Sequence, residues 1–407
     1  MVSRRVRGAL LATCAVAVAC QTLAGIEDKE LDPKYLDAAA VVIDGAAEAG
    51  WDATTGPNGA SAIPPERPAG PAVPSGKGVT RWFAARRIFL GTVDPTTGTK
   101  DDTAWQRIGH AIDSENTTQA ISIANASKVC KRPPSAADES LTDGEDGRDN
   151  GAGRVLAYGS QFLSKDFELG LHADLESGDK PTMVLMLSDL DPGSDDPYVP
   201  GALLVTAVNP GQNPKWNGSD DFWIDSKTVL GSEAGAPDAG TPEAGVDAGE
   251  ADTPPPEPVV PRYTFPKGYL KGNVWVSGDL GDSPGPMPMY VLNGITIVNT
   301  ATITLAVELS PLHDGAVRSM LSAVAGKATL ETEFLPLAKE LVSCNDTLAS
   351  LFMNQFLLPA MDLANAPPSF EKPAAQCDAL AIGFAFDWEL IVEPTVAVAV
   401  PDASLCN

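Results

Sequence analysis

Short runs rich in Val, Ile, Thr and aromatic residues, each closed by Gly, Pro or Asp, recur along most of this chain, and that spacing favours an antiparallel β fold. The runs are Arg81 to Gly91, Arg154 to Leu163, Phe167 to Leu175, Thr182 to Ser188, Gly201 to Val208, Asp221 to Val229, Tyr269 to Val276 and Tyr290 to Leu309. His313-Asp314-Gly315 supplies a turn, after which Ala316 to Val324 returns against Thr302 to Leu309. The texture then changes. Leu330 to Val342, interrupted by Pro336, and Thr347 to Ala364, interrupted by Pro359, have the spacing of amphipathic helices, and Asn345 or Asp346 is placed to cap the second. Leu380 to Leu390 and Thr395 to Val400 read as strands again. The expected fold is mainly β: an antiparallel, sandwich-like domain with a small helical insert near the C-terminus.

Two stretches cannot contribute to a core. From Leu36 to Gly78 the chain is Ala, Gly, Pro and Asp with few large apolar side chains, too few to offset the entropy of ordering. Residues 20–78 are therefore expected to form a tether. The second stretch, 231–262, carries the near-repeat Pro237-Asp238-Ala239-Gly240, Pro242-Glu243-Ala244-Gly245, Val246-Asp247-Ala248-Gly249. Because closing a longer loop costs only about 0.6 kcal/mol per doubling of its length, this acidic segment is read as an insertion within one domain, 79–407, rather than as a boundary between two.

The first residues have a different character. Arg4, Arg5 and Arg7 precede an apolar stretch from Gly8 to Val18, which is shorter than a membrane-spanning helix needs, and Ala19 stands before Cys20. Residues 1–19 thus have the zones of an export signal. Ala17-Val18-Ala19-Cys20 resembles a lipobox, the bacterial lipoprotein signal in which the cysteine thiol carries a diacylglyceryl group; an ordinary secretory signal cut near Ala19 is the alternative. Two acyl chains anchor stably where one is marginal, at about 0.8 kcal/mol per buried methylene. Lipidation at Cys20 would thus make the membrane a partner and place the protein in the cell envelope, and Gln21 in place of Asp after that cysteine is compatible with the outer membrane or cell surface.

Export fits the charge and the cysteines. Removing the three arginines of the signal takes the formal net charge from −26 to −29, so phosphate backbones would repel the chain and no nucleic-acid partner is expected. Cys130, Cys344, Cys377 and Cys406 then remain, an even number suited to an oxidising compartment, and three disulfide connectivities are open to them. None lies in a Cys-x-x-Cys pair and there are only three histidines, His110, His172 and His313, so a zinc site of ordinary spacing is not expected.

Three landmarks carry a family likeness: Cys20-Gln21-Thr22-Leu23-Ala24-Gly25-Ile26-Glu27, Asp143-Gly144-Glu145-Asp146-Gly147-Arg148-Asp149-Asn150 and Cys377-Asp378-Ala379-Leu380-Ala381-Ile382-Gly383-Phe384. In these the chain resembles uncharacterised envelope lipoproteins of myxobacteria. The resemblance implies an envelope location and one folded unit across the acidic insertion; it implies no catalytic residue.

The candidate chemistry is sparse. In the second landmark, Asp143, Asp146, Asp149 and Asn150 are punctuated by glycines, the way hard oxygen ligands are wrapped around calcium, although the ordered spacing of an EF-hand is absent. The competing reading is a solvated acidic turn. A second acidic loop, Asp189 to Asp196, shares that ambiguity. No phosphate-binding glycine loop occurs, and His110, near Asp113 and Glu115, lacks an identifiable nucleophile. Trp82, Trp105, Trp216, Trp223, Trp275 and Trp388 would serve either as core or as a sugar-stacking face, with Trp216 expected to be the most exposed. The function expected from the sequence is a lipid-anchored envelope protein with a binding or structural role toward a glycan or surface protein. The alternative is a carboxylate-dependent hydrolase of envelope or extracellular polymers.

Overall fold

The computed structural model describes residues 62–116, 130–131, 143–159, 166–207, 213–230, 259–280, 285–291, 294–341, 344–366 and 375–397. In chain order the elements are β1 (Val79–Phe89), α1 (Gly151–Gly159), α2 (Phe167–Ser177), β2 (Met183–Leu190), β3 (Gly201–Val205), β4 (Trp223–Asp225), β5 (Tyr263–Phe265), β6 (Tyr269–Lys271) and β7 (Val274–Val276). They continue with β8 (Gly285–Val291), β9 (Gly294–Thr300), β10 (Thr302–Leu309) and β11 (Ala316–Gly326). Helix α3 runs through Lys327–Thr329, Leu330–Phe334 and Leu335–Leu341, and α4 through Asp346–Phe352, Met353–Leu357 and Leu358–Ala360. The last strands are β12 (Ala379–Ile391) and β13 (Thr395–Ala397).

The fold is mainly β. Nine strands form one curled sheet in the order β5-β3-β2-β1-β12-β11-β10-β7-β6, with every neighbouring pair antiparallel. Side chains alternate across a strand, so the register sends Phe83, Leu185 and Leu203 to one face, with Leu305, Leu321 and Phe384 on that same face further along the sheet. This inner face is a single apolar cluster.

Trp275 shows how far the sheet curls. It lies on β7, near one edge, yet its Nε1 donates to Val199 O at 2.8 Å and its ring comes so close to Gly201 on β3 that a Cβ there would sit 2.5 Å from Cζ2. The two edges are thus brought together, and Leu270 on β6 pairs with Asp196 in the connection leading to β3. Meeting edges leave fewer unpaired backbone groups to recruit another chain.

The outer face is covered in patches. Phe222, Ile224 and Val229 lie over Trp82, Val184 and Leu204, where β4 pairs in parallel with β13, and Ile108 and Leu169 cover Phe89 and Ala385. Burial on both faces explains why β12 reads as a nearly continuous apolar run instead of a simple alternation.

Several segments differ from the sequence expectation. Arg154 to Leu163 and Phe167 to Leu175, read as strands, fall in helices α1 and α2 as far as they are described. The buried stripe of α2 is Glu168, His172 and Leu175, at helical spacing, but two of its three members are polar and so invisible to an apolar pattern. Tyr269 to Val276 is a hairpin turning at Gly272-Asn273, and Tyr290 to Leu309 is divided among the end of β8, its antiparallel partner β9, and β10. The turn at His313-Asp314-Gly315, the two C-terminal helices and the cap at Asn345, whose side chain accepts from Thr347 N and Leu348 N, are as expected.

Residues 62–78, assigned by composition to the tether, lie against the domain. Arg67 donates to Pro197 O at 2.9 Å and Lys267 O at 2.6 Å and stacks over Tyr269, whose hydroxyl donates to Pro65 O. Polar bonds hold this strap, which an accounting of apolar area does not register. At the acidic insertion, Leu230 N donates to Val260 O and Arg262 N to Thr228 O, so its two ends leave the domain side by side. The sheet takes strands from both sides of it, and the disulfide Cys130–Cys377, closing 247 residues, crosses it as well. Cys344 is also disulfide-bonded, and Cys20 and Cys406 lie outside the described residues.

Candidate functional site: a polar patch on the edge of the central strand

Strand β12 needs a partner on each side. On one side β11 follows it from Phe386 down to Ala379. On the other, β1 stops at the pair Phe89↔Ala385, which would leave the amides of Gly383, Ala381 and Ala379 unpaired on a buried edge. Other groups take over. Gly383 N donates to Asn150 Oδ1 at 2.9 Å, Ala381 N to Asp362 Oδ1 at 3.2 Å and Ala379 N to Leu363 O at 3.0 Å.

Asn150 is the hub of this patch. The same Oδ1 accepts from Gly153 N at 2.9 Å, capping α1, while Nδ2 donates to Trp105 O at 3.3 Å. A Cβ on Gly383 would sit 2.8 Å from Asn150 Cγ, so the close approach requires glycine on β12. Two of the three sequence landmarks therefore meet in space, since Asn150 ends one and Gly383 belongs to another.

Asp149 works beside it. Its Oδ2 accepts from Ile112 N at 2.6 Å and Asp113 N at 3.3 Å, its own N donates to His110 O, and Arg148 Nη1 donates to Gly109 O. Burial, with Asp113, Asp143 and Asp362 nearby, pushes the Asp149 carboxyl well above the usual carboxylate range. Asp146 lies on the exposed side of the turn in a left-handed conformation, where its carbonyl accepts from Ala62 N. The four residues expected to surround calcium are thus divided. Asn150 would have to release Gly153 and Gly383 to bind an ion through Oδ1, and Asp146 faces outward. Among the described residues no group of three or more His, Cys, Asp or Glu side chains is placed to hold a metal ion. In the second acidic loop, Asp189 accepts from Gly76 N, Gly78 N and Ser75 Oγ, and Asp195 from Lys271 Nζ and Gly272 N.

Glu168 was missed by the sequence reading and does comparable work. Its two oxygens accept from Leu90 N, Thr92 N and Thr92 Oγ1 at 2.7–2.9 Å, fastening the end of β1 to α2, while burial raises its pKa. The Glu-x-x-x-His-x-x-Leu spacing is the one signal that would have found it.

His110 and His172 are structural. His110 is buried with Nδ1 3.2 Å from Ser322 Oγ, and burial, aided by Arg148, lowers its pKa to about 3. His172 meets Ile88 O through Nε2 and packs edge-on against Phe89, and burial lowers its pKa to about 4 despite the bond to Ile88. Both are neutral when folded. Unfolding returns them to the ordinary value of 6.5, so the unfolded chain binds more protons below that pH. Their contribution to stability is complete above about pH 6.5 and is lost as pH falls toward the folded values, on the order of 1.4 kcal/mol per pH unit for each. In NMR titration, the His110 and His172 ring signals should stay at their neutral shifts at pH 5 and titrate near 6.5 only in urea. Native titration of either near 6.5 would show that its burial is misassigned.

The tryptophans do not form a face. Trp82, Trp105, Trp275 and Trp388 are core residues, and Trp216 is half-buried with Nε1 donating to Glu176 O at 2.9 Å and its ring against Phe222. Trp223, not Trp216, is the most exposed of the six, at 42%.

Fold and patch together define a mainly β, antiparallel domain in which side chains complete the edge of a central strand. Compared with known protein families, curated proteins and solved structures, the chain matches none.

Proposed function

We propose that this chain is a lipid-anchored protein of the bacterial cell envelope, attached through Cys20 at the outer membrane or cell surface, whose β domain has a binding or structural role. One observation carries the preference over catalysis: Asn150 Oδ1, Asp149 Oδ2 and both oxygens of Glu168, the buried groups of this patch and its neighbour on α2, are engaged by backbone amides of the fold. A group holding an amide in place is not offered to a substrate. The Cys130–Cys377 bridge supports an oxidising compartment. No helix among the described residues is long and apolar enough to cross a membrane. For a glycan or surface protein, Trp223 is the ring of the six best exposed for stacking.

Expression of the wild type and Cys20→Ala with radioactive palmitate tests the anchor. The wild type should be labelled and sediment with membranes, and the variant should be unlabelled and soluble; a labelled variant would overturn the assignment. The soluble variant, incubated with purified envelope polysaccharide, should be retained without generating new reducing ends. New reducing ends would transfer the protein to the alternative, a carboxylate-dependent polymer hydrolase.

A further inference from the structure

The described residues contain two Asn-Gly pairs, Asn150-Gly151 and Asn217-Gly218, and the fold treats them in opposite ways. Asn-Gly is the dipeptide in which a backbone nitrogen can most readily attack the preceding side-chain amide, because glycine places no Cβ against the closing ring. At Asn150 both ends of the amide are held and the residue is buried. Asn217 is exposed, and its Oδ1 accepts from Ser219 N at 3.2 Å and Ser219 Oγ at 2.7 Å. Gly218, at φ +83°, has no acceptor for its N–H among the described residues. A Cβ at Gly218 would touch only Leu390, at 3.8 Å and beyond, so the loop has room around the reacting atoms.

We propose that Asn217 is a site of spontaneous modification, converted in the folded protein to a mixture of aspartate and isoaspartate through a cyclic imide, while Asn150 is protected. The Gly218 nitrogen gives its proton to solvent base and bonds to Asn217 Cγ. Negative charge then develops on Oδ1, where the two Ser219 donors already point. The Cγ–Nδ2 bond breaks and ammonia leaves, taking a proton from water. Water next opens the imide at either carbonyl, giving aspartate or, with one more methylene in the main chain, isoaspartate. Either product adds a carboxylate beside Asp220 and Asp221. The isoaspartate also lengthens the loop whose Trp216 is tied to Glu176 O and whose Lys215 N and Trp216 N donate to Asp220.

The experiment is incubation of the native protein in warm, mildly alkaline buffer, with peptide mass spectrometry and enzymatic methylation of isoaspartate as readouts. Parallel samples are unfolded in urea. In the folded protein Asn217 should convert faster than Asn150 by on the order of tenfold or more, the factor that each ~1.4 kcal/mol added to the Asn150 barrier supplies. In urea the two rates should approach one another. Ser219→Ala, which removes one donor to Oδ1, should slow conversion at Asn217 in the folded protein and leave Asn150 unaffected. Equal rates at the two sites in the folded protein, or an intact Asn217 over a period in which the urea sample converts, would overturn the proposal.

Discussion

Asn150→Ala is expected to destabilise the domain by about 2–4 kcal/mol. The loss of a helix cap accounts for about 1 kcal/mol. The rest comes from leaving Gly383 N inside the protein without its partner, at roughly 1–3 kcal/mol, whereas Trp105 O keeps the amide of Ile108. The variant also opens a cavity where helix α1, the Trp105 segment and β12 converge. Urea denaturation followed by tryptophan fluorescence measures this, and a change below about 1 kcal/mol would mean that water replaces the amide without cost. Asp149→Asn is the informative companion. It keeps an acceptor for Ile112 N but removes a charge that burial and three neighbouring carboxylates disfavour, so it should be tolerated at neutral pH far better than Asn150→Ala.

Removing the Cys130–Cys377 bridge, with alanine at both positions to avoid burying hydroxyls, should cost about 5 kcal/mol if the entropy of a 247-residue loop governs. The bridge joins the segment before the acidic insertion to the segment after it. Proteolysis within 231–258 should therefore leave two pieces that run together on a denaturing gel until reductant is added, and the double alanine variant should release them without it. Separation of the wild-type pieces without reductant would mean that the bridge does not form.

The strands whose apolar runs are closed by turn residues were legible. β1, β2, β3, β10, β11 and β12 emerge near their observed limits because each is a run of apolar and β-branched residues bounded by Gly, Pro or Asp. The curl was not legible, since it depends on Trp275 reaching Gly201 and Val199 from the far side of the sheet, contacts between residues more than seventy positions apart. Helices α1 and α2 were missed for a chemical reason: the buried face of α2 is Glu168 and His172, and α1 begins at a side-chain cap whose other half lies on β12. The Asp143 to Asn150 landmark was visible as a dense polar cluster. Its use was not, because oxygen atoms suited to calcium are equally suited to backbone amides, and the partners Ile112 and Gly383 are distant in sequence. Trp216 looked exposed beside Asn217 and Gly218, but its indole finds Glu176 O and Phe222.

Amide hydrogen exchange at Gly383 tests the central claim most directly, because that N–H faces the side of β12 where β1 has already ended and has Asn150 Oδ1 as its acceptor. In the native wild type it should exchange as slowly as the amides of β12 that are paired with main-chain carbonyls, through opening of the whole sheet. Fast local exchange at Gly383, with the rest of β12 protected, would contradict the assignment of the Asp143 to Asn150 landmark as the group that completes this strand.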